Sequence, residues 1–190
     1  MQRRLAVLLF AAVALSAIAC QDLSAPKAGT ATIADTLRAS ALNGTPLGSR
    51  SSLNVLFHEV LPPDGSLDFD LAFDIDAGGK AVLIPVAKVA ACSRVCQVGL
   101  QVVTDSTFDQ ITKARSKGYT YDTAITVDVG QPVLIVAKST NCANNLYSND
   151  LYAKIVVDSV RTGDRSIFLR IVTDPTCGFR SLVPGEIPKS

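Results

Sequence analysis

The side chains able to do chemistry are few, and their spacing restricts what they can do. Asp68, Asp70, Asp74 and Asp76 alternate with Leu67, Phe69, Leu71, Phe73 and Ile75. Four carboxylates in one short stretch invite a hard cation, which takes several oxygen ligands at once. Asp74-Ile75-Asp76-Ala77-Gly78-Gly79 even opens like an EF-hand loop, but no third acid follows and the twelfth position is Pro85. Carboxylates two residues apart on a strand lie about 7 Å apart, too far for most pairs to share one ion. No metal site is expected. The acids read as a solvated face whose charge discourages edge pairing.

His58 is the only histidine. Multi-histidine metal sites are thereby excluded, and a Ser-His-Asp triad would have to use His58. No G-x-S-x-G elbow marks a nucleophile, and neither phosphate-cradling glycine motif occurs. Glu appears only as Glu59 and Glu186, so a paired-carboxylate hydrolase would have to rely on aspartates. His58 is expected on the polar face of the first strand. Nothing here points to an enzyme or a cofactor, and a hydrolase using His58 is the least favoured reading.

The chain has five cysteines: Cys20, Cys92, Cys96, Cys142 and Cys177. Cys92 and Cys96 could supply two thiolates, but two ligands are half a tetrahedral site and the other cysteines are isolated. Disulfides are the better reading in an exported protein. The spacing favours a local Cys92–Cys96 bridge and a long-range Cys142–Cys177 bridge, with the two other connectivities open. The polar loop from Ser139 to Asp150 holds Asn141, Asn144, Asn145 and Tyr147. Amide and phenol groups suit carbohydrate or protein contact, so these four are candidate ligand-binding residues. The competing reading is a plain polar loop pinned by its cysteine.

The odd cysteine is explained at the start of the chain. Met1 to Ala19 has Arg3 and Arg4, an apolar run from Leu5 to Ala14 and then small residues, the layout of a secretory signal peptide. That run is shorter than the roughly 20 residues that span a bilayer. Cys20 closes the sequence LSAIAC, which resembles the lipobox of bacterial lipoproteins. In that family the peptidase cuts before a cysteine whose thiol carries a diacylglyceryl group. The resemblance covers residues 1–20, with Ala17 where Leu is commonest. It implies a lipidated Cys20, a membrane anchor and a place in the bacterial cell envelope. Gln21 rather than Asp after the cysteine favours the outer membrane. Simple cleavage after Ala17-Ile18-Ala19 also fits, but it would leave an unpaired thiol. Without residues 1–19 the chain keeps 16 basic against 17 acidic residues, a charge near −1 that argues against a nucleic-acid partner.

These groups must be held by something. Residues 20–52 are rich in Ala, Ser, Thr, Gly and Pro, and read as a tether spanning about 30 Å if coil-like. Within it, Ala31 to Leu42 could form a transient helix. Residues 53–181 read as the folded domain and 182–190 as a tail. Leu67 to Asp76 is the clearest element, a strand with one apolar and one acidic face. Strands are also expected at Leu53–Leu61, Lys80–Val89, Gln97–Val103, Ala124–Val129 and Val133–Lys138. Pro85 cannot donate to a ladder, which puts its strand at an edge or a bulge. Gly130-Gln131-Pro132 should turn the chain back. Tyr152–Val160 and Ser166–Thr173 form the last hairpin. Ser106 to Lys117, with Ser106 as cap and Gly118 as stop, is the one expected helix.

About eight short strands, one helix and frequent turns predict an all-β antiparallel β-sandwich. The layout resembles immunoglobulin-like sandwiches, although the Cys…Trp…Cys hallmark is missing because the chain has no Trp. The expected function is a non-catalytic interaction or structural role in the cell envelope. The alternative is a glycan- or polymer-binding surface module.

Overall fold

A computed structural model describes residues 28–63, 68–89, 97–138, 142 and 148–188. The fold is an antiparallel β-sandwich. Its strands are β1 (Ile33–Ser40), β2 (Ser52–Asn54), β3 (Glu59–Leu61), β4 (Leu71–Ile75), β5 (Ala81–Pro85), β6 (Val98–Val102), β7 (Thr120–Tyr121), β8 (Ile125–Val127), β9 (Pro132–Lys138), β10 (Asp150–Arg161) and β11 (Ser166–Asp174). One short helix, α1 (Val86–Val89), follows β5. The six-stranded sheet has the order β1-β11-β10-β9-β6-β7, and the five-stranded sheet the order β3-β2-β4-β5-β8.

Period-two alternation explains the core. Phe69, Leu71, Phe73 and Ile75 are all buried, with Leu71 and Phe73 at 0% exposure. They meet the inward residues of the other sheet, among them Leu100, Ile135, Ile155, Leu169 and Ile171. The last hairpin forms as its β-branched residues predict, with β10 and β11 in register from Tyr152↔Asp174 to Arg161↔Ser166 and a shift between Val157 and Ser159. Pro85 is the final residue of β5, opposite Leu71 and past the reach of β8, so its missing N–H costs no ladder bond.

The structure differs from the sequence reading in six places. The strand read over Lys80–Val89 stops at Pro85, its last four residues form α1, and β5 lies between β4 and β8 rather than at an edge. The expected tether contains β1, which pairs along its whole length with β11. No transient helix forms there, because β11 offers a complete ladder of backbone partners to a segment of weak intrinsic preference. Leu53–Leu61 is not one strand but the hairpin β2–β3, with Asn54 Oδ1 accepting from the Leu56 and Phe57 amides to make the turn. Ser106–Lys117 is not helical. The Phe108 and Ile111 carbonyls instead accept bonds of 2.8 Å each from buried Lys154 Nζ, which lies over the Phe108 ring. Gly130-Gln131-Pro132 does not close a hairpin; it carries the chain from β8 in one sheet to β9 in the other. The expected tail is part of the fold, since Leu182 is fully buried and Thr32 is tied to Val183 and Glu186.

Candidate functional site

The acidic face is only partly wet. Asp68 is exposed, as expected. Asp70 is not a solvated group: its Oδ2 accepts from the Val55 amide at 2.8 Å, and burial pushes its carboxyl up to about 6 against the help of that bond. Asp74 is not free either. Arg165 donates to its Oδ1 at 3.0 Å and Asn43 Nδ2 to its Oδ2 at 2.5 Å. Burial works against its ionisation, but these bonds and two amides hold it below the usual carboxylate range. Ala72, between them in sequence, has no exposure. The stretch has one dry face as read, and an opposite face on which acids bind neighbouring chain. Among the described residues no three His, Cys, Asp or Glu side chains gather as a metal site would need.

His58 does not stand on a polar strand face. It sits in the β2–β3 turn at φ 54°, is 7% exposed, and its Nε2 lies 2.9 Å from Thr173 Oγ1. Thr173 Oγ1 in turn donates to the Val55 carbonyl at 3.0 Å. Burial lowers the pKa of the ring, with Asp35 opposing. The imidazole thus plugs the gap between the sheets where β1 and β3 form adjacent edges. Among the described residues its Nδ1 finds no partner and no acid hydrogen-bonds the ring as a triad requires.

Cys142 and Cys177 are bonded, with Cα atoms 5.6 Å apart. Cys20, Cys92, Cys96, Asn141, Asn144, Asn145 and Tyr147 lie outside the described residues.

The arrangement that residue-by-residue reading did not assemble is a row across the outer face of the six-stranded sheet. Strand pairing aligns Tyr121, Gly99, Val136, Tyr152 and Asp174 in that order. Tyr119 shares the face, its hydroxyl donating to the Arg115 carbonyl at 2.9 Å. Gly99 is required here: a Cβ would come within 2.9 Å of both Tyr119 Cβ and the Tyr121 ring. Tyr121 is the exposed member, at 43%. Burial raises the pKa of Tyr119 and Tyr152, reinforced for Tyr152 by the charge of Asp150, while Arg180 acts on both in the opposite direction. Beside the row, Lys138 Nζ and Asp150 Oδ1 pair at 2.6 Å. Burial also pushes Asp174 up to about 6, offset in part by the amides of Thr176 and Ser181. One signal was legible: Tyr119 and Tyr121 stand two apart, so any strand there places them on one face. A cavity of about 200 Å³ opens on the same side of the sheet, with Ser106, Gln110, Lys113 and Arg115 around a floor of Val103 and Leu134. It is smaller than the roughly 300 Å³ at which small-molecule pockets begin.

The arrangement can stack on a flat apolar or sugar face through Tyr121 and offer flanking charge. It holds no nucleophile set against a base. No protein-family model, curated protein or solved structure matches the chain.

Proposed function

We propose that this protein is a lipid-anchored β-sandwich of the bacterial cell envelope with a non-catalytic interaction or structural role. The anchor reading is supported by the apolar run, the small residues before Cys20 and the odd cysteine count. The role reading is supported by one observation above others. His58, Asp70, Asp74 and Lys154 are all engaged in fold-holding contacts, while an aromatic, Tyr121, is left at the surface of the sheet that also carries the Lys138–Asp150 pair. Exposed aromatics with polar neighbours are the usual anchors of protein contacts.

Placing a photo-cross-linking amino acid at Tyr121 in cells tests this. Covalent adducts at position 121, and none at exposed Lys117, are the expected result. Equal, diffuse labelling at both positions would remove Tyr121 as a contact. The second reading, a glycan- or polymer-binding module, is favoured by the same tyrosine, because an exposed aromatic ring stacks on sugar faces. Saturable binding on a glycan array, lost in Tyr121→Ala, would move the assignment to that reading.

A further inference from the structure

Three large apolar side chains are exposed at one end of the sandwich. Ile33 is 41%, Phe57 64% and Ile187 57% exposed. Scattered singly, such residues need no explanation. These are brought together by specific bonds. Ile33 begins β1 and pairs with Thr173. Thr173 Oγ1 meets His58 and the Val55 carbonyl, which seats the turn carrying Phe57 on the same spot. Ile187 follows Glu186, whose carbonyl accepts from the Thr32 amide at 2.9 Å. The Phe57 turn is rigidly built. Asn54 Oδ1 accepts from its amides, Asn54 Nδ2 donates to the Asp68 carbonyl, and Asp70 accepts from Val55.

This is also the end at which the chain from Cys20 enters the fold. Thr32 is fixed by its bonds to Glu186 and Val183, so eleven residues, 21–31, lie between the fold and Cys20. Fully extended they reach roughly 40 Å. The longest strand, β10, is 12 residues and spans about the same distance. Bringing the opposite end to an anchoring bilayer would require those eleven residues to run nearly straight along the whole domain, at a large cost in chain entropy. The near end needs no such extension.

We propose, resting on the lipid-anchor reading, that the end bearing Ile33, Phe57 and Ile187 lies on the bilayer that holds the anchor. Phe57 and the two isoleucines enter the headgroup boundary, where apolar and aromatic side chains gain from partial burial. Asp35 and Glu59 flank the patch and are exposed, and the three described side chains that form it are all apolar. The contact is therefore apolar rather than electrostatic, and does not depend on anionic lipid. The opposite end, with the β10–β11 turn, faces away from the membrane.

The absence of tryptophan makes this directly measurable. Phe57→Trp and Leu47→Trp each create a single reporter in the full-length protein. Leu47 is fully exposed, in the loop whose Gly44 packs on Arg165 at the opposite end. Both variants are purified with their native N-terminus and reconstituted into vesicles of phosphatidylcholine with brominated acyl chains. Tryptophan at 57 should shift to the blue and lose most of its emission relative to unbrominated vesicles, at low and high salt alike. Tryptophan at 47 should be unaffected. Adding Ile33→Ser and Ile187→Ser should restore emission at 57. Mass analysis of the N-terminal peptide from the same sample reads the anchor separately. A lipid-bearing peptide with position 57 as bright as position 47 would overturn the membrane-facing end alone. A peptide without lipid would overturn the anchor, and this proposal with it.

Discussion

Phe73 and Asp68 mark the two extremes within one stretch of chain. Phe73 is fully buried in the main core, so Phe73→Ala should cost about 3–5 kcal/mol, counting the lost transfer energy and the cavity left behind. Asp68→Asn, at an exposed carboxylate, should change stability by about 0.5 kcal/mol or less. Urea titrations of the two variants check both, and equal losses would refute the facing of the strand. Asp70 gives a pH signature instead. Its folded pKa of about 6 lies above the ordinary aspartate value of 3.8, so between those values the folded protein keeps a proton that the unfolded chain has lost. Stability therefore falls as pH rises from about 4 to 6 and stays lower above that. Asp174, also raised to about 6, adds to the same slope. Asp70→Asn should flatten part of the decline, measured as urea midpoints across that window. A slope unchanged by the substitution would mean that Asp70 titrates normally.

At the scale of elements, the disulfide is the sharpest case. Cys142 follows β9 and Cys177 follows β11, and the two strands flank β10, so both cysteines leave the same end of the six-stranded sheet. The bond closes a separation of 35 residues, which in the chain-entropy picture stabilises by about 3–4 kcal/mol. Cys177→Ser should lower the melting temperature more than Cys96→Ser, whose cysteine lies close in sequence to its expected partner Cys92. Calorimetry under non-reducing conditions reads this order, and the reverse order would contradict it. The segment after β6 shows a different balance. Ser106–Lys117 has a helix cap and a helix stop, but Lys154 takes its carbonyls and the outer sheet face takes Phe108 and Ile111. A buried ammonium that must be solvated by something outweighs a local preference of a few tenths of a kcal/mol per residue.

For the whole molecule, the question is what holds it in place in the cell. If Cys20 is the mature N-terminus and bears lipid, labelled fatty acid enters the wild-type protein and Cys20→Ser abolishes that incorporation. Labelling that persists in the variant would end the anchor reading. No helix among the described residues is long and apolar enough to cross a membrane. The end that carries the β10–β11 turn is held by its own bonds. Arg165 donates to Asp74, Ile75 and Asn43 there and ties the β10–β11 turn to the five-stranded sheet.

The fold class, the dry face of Phe69 to Ile75, the last hairpin and the Cys142–Cys177 bond were all legible in the sequence. Each rests on a short-range rule: alternation with period two, turn chemistry, or the scarcity of cysteines. Tertiary structure alone decided the rest. β1 reads as tether because Ile33 and Leu37 are its only large apolar residues, and what makes it a strand is the partner strand β11, more than 120 residues later. A lone histidine carries no periodic signal, and the burial of His58 depends on Thr173 arriving from the other sheet. The Tyr121–Gly99–Val136–Tyr152–Asp174 row was invisible for the same reason: five residues from five strands become neighbours only through register, which is set by long-range pairing and by no local property of any one of them.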